Sequence, residues 1–299
     1  MSDYTDLLHQ KNHIIETIVS PFLKDNEIDI VILDCSYDPF DEFESTIETW
    51  DWPCGYKVLV NDFSYIFKES NSIIYHNPFI WQYKDLRYKK YDNEKIYPIS
   101  CLNGVPRKPR IDLFNLLRHS NNFNKILFSM GNFKFSKYIT DINSDTDRNT
   151  YKRYFAEFGD KGFSNFTTIG DNYDRGSDHS IKHIAFRETV LNVVTETAPD
   201  GASIFTEKTW KPIYARQFFI QFNRPFAVEH LRKIGIDVFD DVIDHSYDQV
   251  IDYQSRLTMI SQEILRLLDD SGNLFDYHIK YKDRLENNFN LLTSEDFLQ

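Results

Sequence analysis

Several features that would place this chain in a specialised class are scarce or missing. Glycine and proline number only ten each in 299 residues, which excludes a fibrous or low-complexity protein. The three cysteines, Cys35, Cys54 and Cys101, are widely spaced and form no Cys-x-x-Cys pair. This argues against a disulfide framework or a zinc site and favours a reducing compartment. No apolar run approaches the length that spans a bilayer, so no membrane partner is expected.

Positive charge is also in deficit. There are 34 Lys and Arg against 46 Asp and Glu, and the formal net charge is −12, so a broad basic face for nucleic acid is not expected. A local basic pocket is compatible with this balance, because the segment VPRKPR at 105–110 contains three cations. The first residues are polar and acidic, unlike a signal peptide, and we predict a cytoplasmic protein.

The common nucleotide and hydrolase signatures are missing as well. The chain has no Gly-x-Gly-x-x-Gly, Walker loop, His-Glu-x-x-His or Gly-x-Ser-x-Gly, so the enzyme classes that carry them lose their usual support. The segment at 141–152 starts like a calcium loop, but it has Thr146 where that loop needs glycine. Asp145 and Asp147 match a metal-binding Asp-x-Asp, which we interpret as a solvated turn. No metal is therefore predicted.

The chain does contain alternating strand and helix patterns. Short β-branched or aromatic runs predict strands at 28–34, 56–63, 72–79, 125–130, 190–197 and 218–222. Helical periodicity predicts helices at 5–24, 110–121, 206–216, 227–235 and 253–270, and it is weak in the polar stretch 139–185. The alternation predicts an α/β fold with parallel sheets. It appears in two series, which predicts two Rossmann-like α/β domains, 1–98 and 99–299, facing across a cleft.

Three polar elements of the second series are expected at one edge of its sheet. Arg110 begins a helix after a loop, where a guanidinium and a helix N-terminus can converge on a phosphate. A strand delivers Glu196 to its carboxyl end, the edge where open α/β sheets bind ligands. Glu207 and Lys208 fall in the first turn of a helix that has Thr206 as its N-cap.

Each of these elements also has a purely structural explanation. Arg110 could be a surface residue, Glu196 a partner of a helix cap, and the pair Glu207 and Lys208 a solvated first turn. In a ligand site, Lys208 could pair with phosphate charge, and Glu207 could accept hydrogen bonds from ribose hydroxyls. The occurrence of all three elements in this order favours the ligand site.

The order of these motifs resembles the donor domain of the family 10 fucosyltransferases, which have the two-domain GT-B fold. The resemblance covers residues 99–215: Ser-x-x-Asn precedes the arginine, an apolar-Asn-apolar-x-x-Glu pattern ends at Glu196, and Thr-Glu-Lys follows at 206–208. In the family, apolar residues stand three and seven positions after the arginine. Leu113 and Leu117 stand at those positions after Arg110, so the role is carried to Arg110 rather than Arg107. The spelling TEKTWKPI is also similar to uncharacterised glycosyltransferase-like proteins of tailed phages and marine viruses.

The resemblance implies an inverting, metal-independent glycosyltransferase of GT-B fold with a GDP- or UDP-sugar as donor and no further cofactor. Arg110 and Lys208 would hold the diphosphate. The remaining donor-binding residues would be Asn192, Glu196, Thr206 and Glu207. If the protein is viral, its compartment would be the host cytoplasm.

The general base is less closely matched. The family's base is a glutamate shortly after an N-domain strand, and Asp62 of YKVLVND stands in a comparable position as an aspartate. Asp34, at the end of the first predicted strand, is the competing candidate. The acceptor is a carbohydrate or another hydroxyl compound.

Three alternatives remain at this point. A viral enzyme could glycosylate a hydroxymethylated base in DNA, with VPRKPR and RYKK (87–90) touching phosphates, although the net charge disfavours it. The chain could be an inactive GT-B-like binding protein. It could also be a metal-dependent GT-A enzyme that uses Asp145 and Asp147.

Overall fold

A computed structural model gives the fold of this chain. It describes residues 30–35, 55–60, 73–75, 94–104, 106–130, 145–159, 162–165, 181, 183–196 and 205–294. The chain divides into two compact units, Met1–Pro78 and Phe79–Gln299. This division lies upstream of the expected boundary after residue 98, which stays a prediction. The predicted helix at 5–24 lies outside the described residues.

The first unit contains a parallel sheet of three strands in sequential order: β1 (Ile30–Cys35), β2 (Gly55–Val60) and β3 (Ile73–Tyr75). All three were predicted from their β-branched runs, and each is shorter than its predicted range. Val58 and Val60 of the middle strand are fully buried.

The second unit contains a mixed sheet of five strands. They are β4 (Tyr97–Asn103), β5 (Ile126–Met130), β6 (Phe163–Ser164), β7 (Thr189–Thr195) and β8 (Phe218–Phe222). Their spatial order is β6-β5-β4-β7-β8, and every pair is parallel except the antiparallel edge pair β5 and β6. Every residue of β7 and β8 is buried, as expected for parallel strands covered on both faces.

The described helices are α1 (Lys108–Leu117), α2 (Asp145–Phe158), α3 (Ile184–Arg187), α4 (Glu207–Tyr214), α5 (Ala227–Lys233), α6 (Tyr253–Asp269), α7 (Ser271–Lys280) and α8 (Lys282–Thr293). In the second unit they alternate with the strands as far as α5, and three further helices then follow without a strand between them. The α/β class is therefore confirmed. None of the helices in the described part is long and apolar enough to cross a membrane.

The order of the strands creates a topological switch point. After β4 the chain moves outwards to β5 and β6, and it then returns to the other side of β4 to form β7 and β8. The carboxyl ends of β4 and β7 therefore lie side by side, and the connections that follow them leave in opposite directions. A crevice at such a point is the usual ligand site of open α/β sheets.

Helix α2 was not predicted, because its segment was interpreted as a polar loop. Its signal is a narrow aromatic stripe, in which Tyr151, Tyr154 and Phe158 recur at helical spacing. The rings of Tyr154 and Phe158 contact Phe114 of α1 edge-on, with centroids 6.4 and 5.5 Å away. Packing against α1 thus outweighs the polar composition of the rest of the helix.

A half-buried cluster of Lys95, Arg216 and His278 lies on the side where the strands begin. The ammonium group of Lys95 donates hydrogen bonds to the carbonyl oxygens of Phe186 and Arg187, at 3.4 and 3.0 Å. His278 lies 3.0 Å from the carbonyl oxygen of Arg216, which can only accept, so its Nε2 carries the proton. Burial, together with the positive charge of Lys95, lowers the pKa of His278 from 6.5 to about 4.

We expect the neutral His278 to make stability depend on pH. Below pH 6.5 the unfolded chain protonates this imidazole and the folded protein does not, so the free energy of unfolding falls between pH 6.5 and about 4. His278→Gln keeps a donor for Arg216 but has no charge to gain. Its melting temperature should therefore fall less than that of the wild type between pH 7 and pH 4.5 in thermal melts.

The exposed His119 supplies the matched control, because His119→Gln should leave the pH dependence unchanged. Identical acid slopes for His278→Gln and the wild type would contradict this assignment.

Candidate functional site

A cavity of about 270 Å³ lies at the switch point between β4 and β7. We call it the switch-point pocket. Its walls come from the carboxyl ends of both strands, from the start of α1, and from α3 and α4. The described part of its lining contains four cations: Arg107, Arg110, Lys208 and Lys211. Glu207 is the acidic residue among the described residues of its lining.

Arg110 reaches the pocket because its helix turns an apolar face to the sheet. Its neighbours Ile111, Leu113 and Phe114 are buried in that packing, and Arg110 itself is only 3% exposed. Its Nη2 donates to the carbonyl oxygen of Thr195 at 3.0 Å, which fixes the guanidinium at the end of β7.

The surroundings of Arg110 disfavour its positive charge. Burial, with the nearby charge of Arg107, lowers the pKa of this guanidinium to about 10, although Glu196 opposes the shift. The group still carries its charge at neutral pH, and an anion bound beside it would stabilise that charge. The geometry therefore suits a negatively charged ligand.

Glu196 joins the end of β7 to the start of α4. Its Oε1 accepts hydrogen bonds from the backbone N–H of Thr206 at 3.0 Å and from the hydroxyl of Thr209 at 2.7 Å. Its Oε2 accepts from the hydroxyl of Thr206 at 2.6 Å. The carboxylate is 2% exposed and lies at the positive end of the helix. This geometry agrees with the explanation of Glu196 as a partner of the helix cap.

Lys208 lies in the same first turn of α4, between Thr206 and Thr209. Its ammonium group is 2.9 Å from the hydroxyl oxygen of Thr206, 3.1 Å from Oε1 of Glu207 and 3.7 Å from Oε2 of Glu196. The backbone N–H of Lys208 also donates to the Thr206 hydroxyl, which confirms Thr206 as the N-cap. The side chain keeps 25% of its surface exposed, so it can also meet a ligand in the pocket.

Glu207 is the carboxylate that faces the pocket. Burial acts to raise its pKa, but the positive charges of Lys208 and Lys211 prevail and hold the pKa of Glu207 below its ordinary value. It is therefore ionised at neutral pH, and its oxygens can accept hydrogen bonds from the hydroxyl groups of a ligand.

Two asparagines hold the strands at the switch point together. Asn103 accepts a hydrogen bond from the Thr195 hydroxyl and so ties the end of β4 to the end of β7. Asn192, within β7, donates from Nδ2 to the hydroxyl oxygen of Ser100 at 3.0 Å and lines the pocket. Asn192 was predicted as a ligand residue. Asn103 was part of the Ser-x-x-Asn pattern, but no role was predicted for it.

The two candidates for the general base, Asp34 and Asp62, belong to the first unit. Asp34 lies in β1, where its backbone is paired with Leu59 of β2. Asp62 lies outside the described residues. The choice between them stays a prediction.

Among the described lining residues with charged or aromatic side chains, three were missed. Arg107 had been set aside in favour of Arg110, although both line the pocket. Lys211 follows Lys208 by three residues, so helical spacing places both on one face and could have identified it. Phe186 had no local signal, because the short helix α3 brings it to the pocket only through tertiary packing.

The comparisons with known proteins identify no family for this chain. Searches against protein-family models, curated proteins and solved structures find no match. Among the described residues, no group of three His, Cys, Asp or Glu side chains could hold a metal ion. A function for this chain must therefore be inferred from the geometry of the pocket and from the motif resemblance.

Replacing Glu196 should destabilise the second unit. Glu196→Ala leaves one backbone N–H and two threonine hydroxyls in the buried start of α4 without their acceptor. Unsatisfied groups of this kind cost about 1–3 kcal/mol, so we expect a loss of about 3 kcal/mol in the free energy of unfolding. Urea denaturation measures it.

Glu229→Ala is the matched control, since Glu229 pairs on the surface of α5 with Lys233 at 2.9 Å. Its loss should stay below about 1 kcal/mol. Equal losses for the two variants would show that Glu196 does not anchor α4.

Proposed function

We propose that this protein is an inverting, metal-independent glycosyltransferase of GT-B type. It would transfer a sugar from a nucleoside-diphosphate sugar to a hydroxyl acceptor. The observation that carries the proposal is the convergence of Arg110 and Lys208 in one pocket, although they belong to two different helices. The order of the motifs, which resembles the family 10 fucosyltransferases, supports the same reaction.

The charge of the pocket supports a diphosphate ligand. The chain as a whole is acidic, with a net charge of −12, yet the described residues that line this cavity include four cations and one carboxylate. Such a local excess repels itself when the pocket is empty and becomes favourable when a multiply charged anion enters. A diphosphate carries the charge and the several acceptor oxygens that guanidinium and ammonium groups such as those of Arg110 and Lys208 can bind.

The cations would act most strongly on the leaving group. In the proposed reaction the acceptor oxygen attacks the anomeric carbon while the bond from that carbon to the diphosphate oxygen breaks. The acceptor proton passes to a carboxylate, Asp62 or Asp34, and the nucleoside diphosphate leaves with the bonding electrons. Arg110, already oriented by the carbonyl oxygen of Thr195, and Lys208 would stabilise the negative charge that grows on the leaving oxygens.

The acidic residues would have separate tasks. Glu207 would accept hydrogen bonds from ribose or sugar hydroxyls. Glu196 would act as a positioning residue, because both of its oxygens already bind the start of α4. The single displacement inverts the configuration of the anomeric carbon.

The basic segment at 105–110 supports this function better than the DNA alternative. Two of its cations, Arg107 and Arg110, line the pocket. The third, Lys108, forms an ion pair with Asp112 at 2.6 Å and lies over the ring of Tyr253. These cations therefore face internal partners and a cavity, which suits a small anion better than a duplex.

Lys208→Ala should separate donor binding from folding. Loss of a charged hydrogen bond to phosphate is worth about 1.5–3 kcal/mol, so the dissociation constants for pyrophosphate and for the donor should rise roughly 10- to 100-fold. Calorimetric titration, with GDP-, UDP-, ADP- and CMP-sugars as the donor panel, measures this. The melting temperature without ligand should change little.

Lys233→Ala, which removes a lysine from a surface ion pair on α5, should bind like the wild type. A Lys208→Ala variant that binds every probe normally, or that loses stability in proportion to binding, would contradict the proposal.

Turnover should identify the general base. Of Asp62→Asn and Asp34→Asn, one should lower kcat at least about 100-fold while the affinity for the donor stays unchanged, because only the proton acceptor is lost. Steady-state kinetics with the donor found in the panel measures this. Normal kcat in both variants would exclude these two carboxylates as the base.

A further inference from the structure

The switch-point pocket extends well beyond the cations that would bind the diphosphate. Its lining continues along β7 from Thr195, which contacts Arg110, back to Asn192. These two positions are three residues apart, or about 10 Å along a strand. We define the inner end of the pocket by Asn192, Phe186 and Lys211.

We propose that this inner end binds the base of a nucleoside diphosphate, with Phe186 stacking on the base and Asn192 accepting a hydrogen bond from its edge. The inference deepens the proposed function, because it assumes that a diphosphate occupies the cations beside Arg110. It assigns a binding role to Phe186 and a specific orientation to Asn192.

The orientation of Asn192 follows from its hydrogen bonds. The hydroxyl of Ser100 donates to the carbonyl oxygen of Ala185 at 3.1 Å, and a carbonyl oxygen can only accept. The Ser100 oxygen is then the acceptor for the Nδ2 group of Asn192, at 3.0 Å. The side-chain carbonyl oxygen of Asn192 therefore points away from Ser100.

This carbonyl oxygen is an acceptor available to a ligand. Asn192 is only 6% exposed and lines the pocket. Within the part of the chain that the structure describes, no donor is recorded for its carbonyl oxygen. A nearly buried acceptor gains most from a donor that enters the pocket, and the edges of nucleobases carry N–H groups.

Phe186 forms one side of the inner end, and hydrogen bonds to its helix fix its position. It belongs to α3, whose carbonyl groups are held by polar side chains from other elements. Gln217 donates to the carbonyl oxygen of Ala185 at 2.8 Å, and Lys95 donates to that of Arg187 at 3.0 Å. The ring is half-buried, so one part of it packs and the rest faces the cavity. A fixed aromatic ring can stack on a base with little loss of entropy.

Lys211 adds a donor at the same place. Its ammonium nitrogen lies 5.9 Å from the centroid of the Phe186 ring, so the cation and the ring share the inner end. A nucleobase offers a flat π surface to the ring, carbonyl oxygens or ring nitrogens to a cation, and N–H groups to Asn192. A hexose offers hydroxyl groups but no π surface.

The direction in which the donor would lie along the pocket also favours placing the base at the inner end. The sugar that is transferred must be reached by an acceptor, and the exposed quarter of the Lys208 side chain shows that solvent reaches the pocket there. A base bound at the inner end leaves the terminal phosphate, and the sugar attached to it, towards Lys208.

Titrations of the full chain with pyrophosphate, UDP, GDP, ADP and CDP test the inference. At least one nucleoside diphosphate should bind the wild type roughly tenfold or more tightly than pyrophosphate, because stacking adds to the anion contacts. Phe186→Leu should lose most of that advantage and keep the affinity for pyrophosphate. Asn192→Ala should lose part of it.

Two further variants serve as controls. Phe186→Tyr retains the stacking face and should retain the advantage, which separates stacking from a general loss of folding. Phe155→Leu, at a half-buried ring on α2 outside the pocket lining, should behave like the wild type.

The outcomes separate this inference from the proposed function. If the wild type binds pyrophosphate and every nucleoside diphosphate equally, or if Phe186→Leu weakens pyrophosphate as much as the nucleotides, the inner end is not a base site and the anion site stands. If neither pyrophosphate nor any nucleotide binds, the proposed function fails and this inference fails with it.

Discussion

The buried carboxylate of Glu196 holds the first turn of α4 against the end of β7, and the candidate site depends on that attachment. Three hydrogen bonds from Thr206 and Thr209 fix where the helix starts. Lys208 then lies in the pocket beside the guanidinium of Arg110, which is bound to the same strand end through the Thr195 carbonyl group. One acidic side chain, itself satisfied internally, thus determines where two cations meet.

The resulting pocket contrasts electrostatically with the rest of the chain. Its cations are partly or fully buried, and the lowered pKa of Arg110 shows that burial and Arg107 both act against the charge there. Glu207 offsets part of this unfavourable positive charge, because it forms an ion pair with Lys208 at 3.1 Å. A diphosphate would complete the compensation, and Glu207 would then be able to bind hydroxyl groups. The same set of side chains therefore explains both the stability of the empty pocket and its expected ligand.

Much of the fold could be predicted from the sequence, for reasons visible in particular elements. Strand β8 has the predicted bounds, and α5 ends before Gly235, whose φ of +90° is easily adopted only by glycine. Helix α2 could not be predicted from composition, because only its aromatic stripe is apolar. The site was predicted in part: Arg110 and Lys208 do lie in one pocket, whereas Lys211 and Phe186 were missed.

The sequence by itself determined the local elements: the strand runs, the N-cap at Thr206 and the helical start that presents Lys208. These depend on the period of the side chains and on capping bonds, which act within a few residues. Tertiary structure alone decided that Arg110 meets the carbonyl oxygen of Thr195, 85 residues away, and that Phe186 closes the same cavity. Such contacts follow from the order of strands in the sheet. That order is set by the packing of distant segments, which produces no periodic pattern in the sequence.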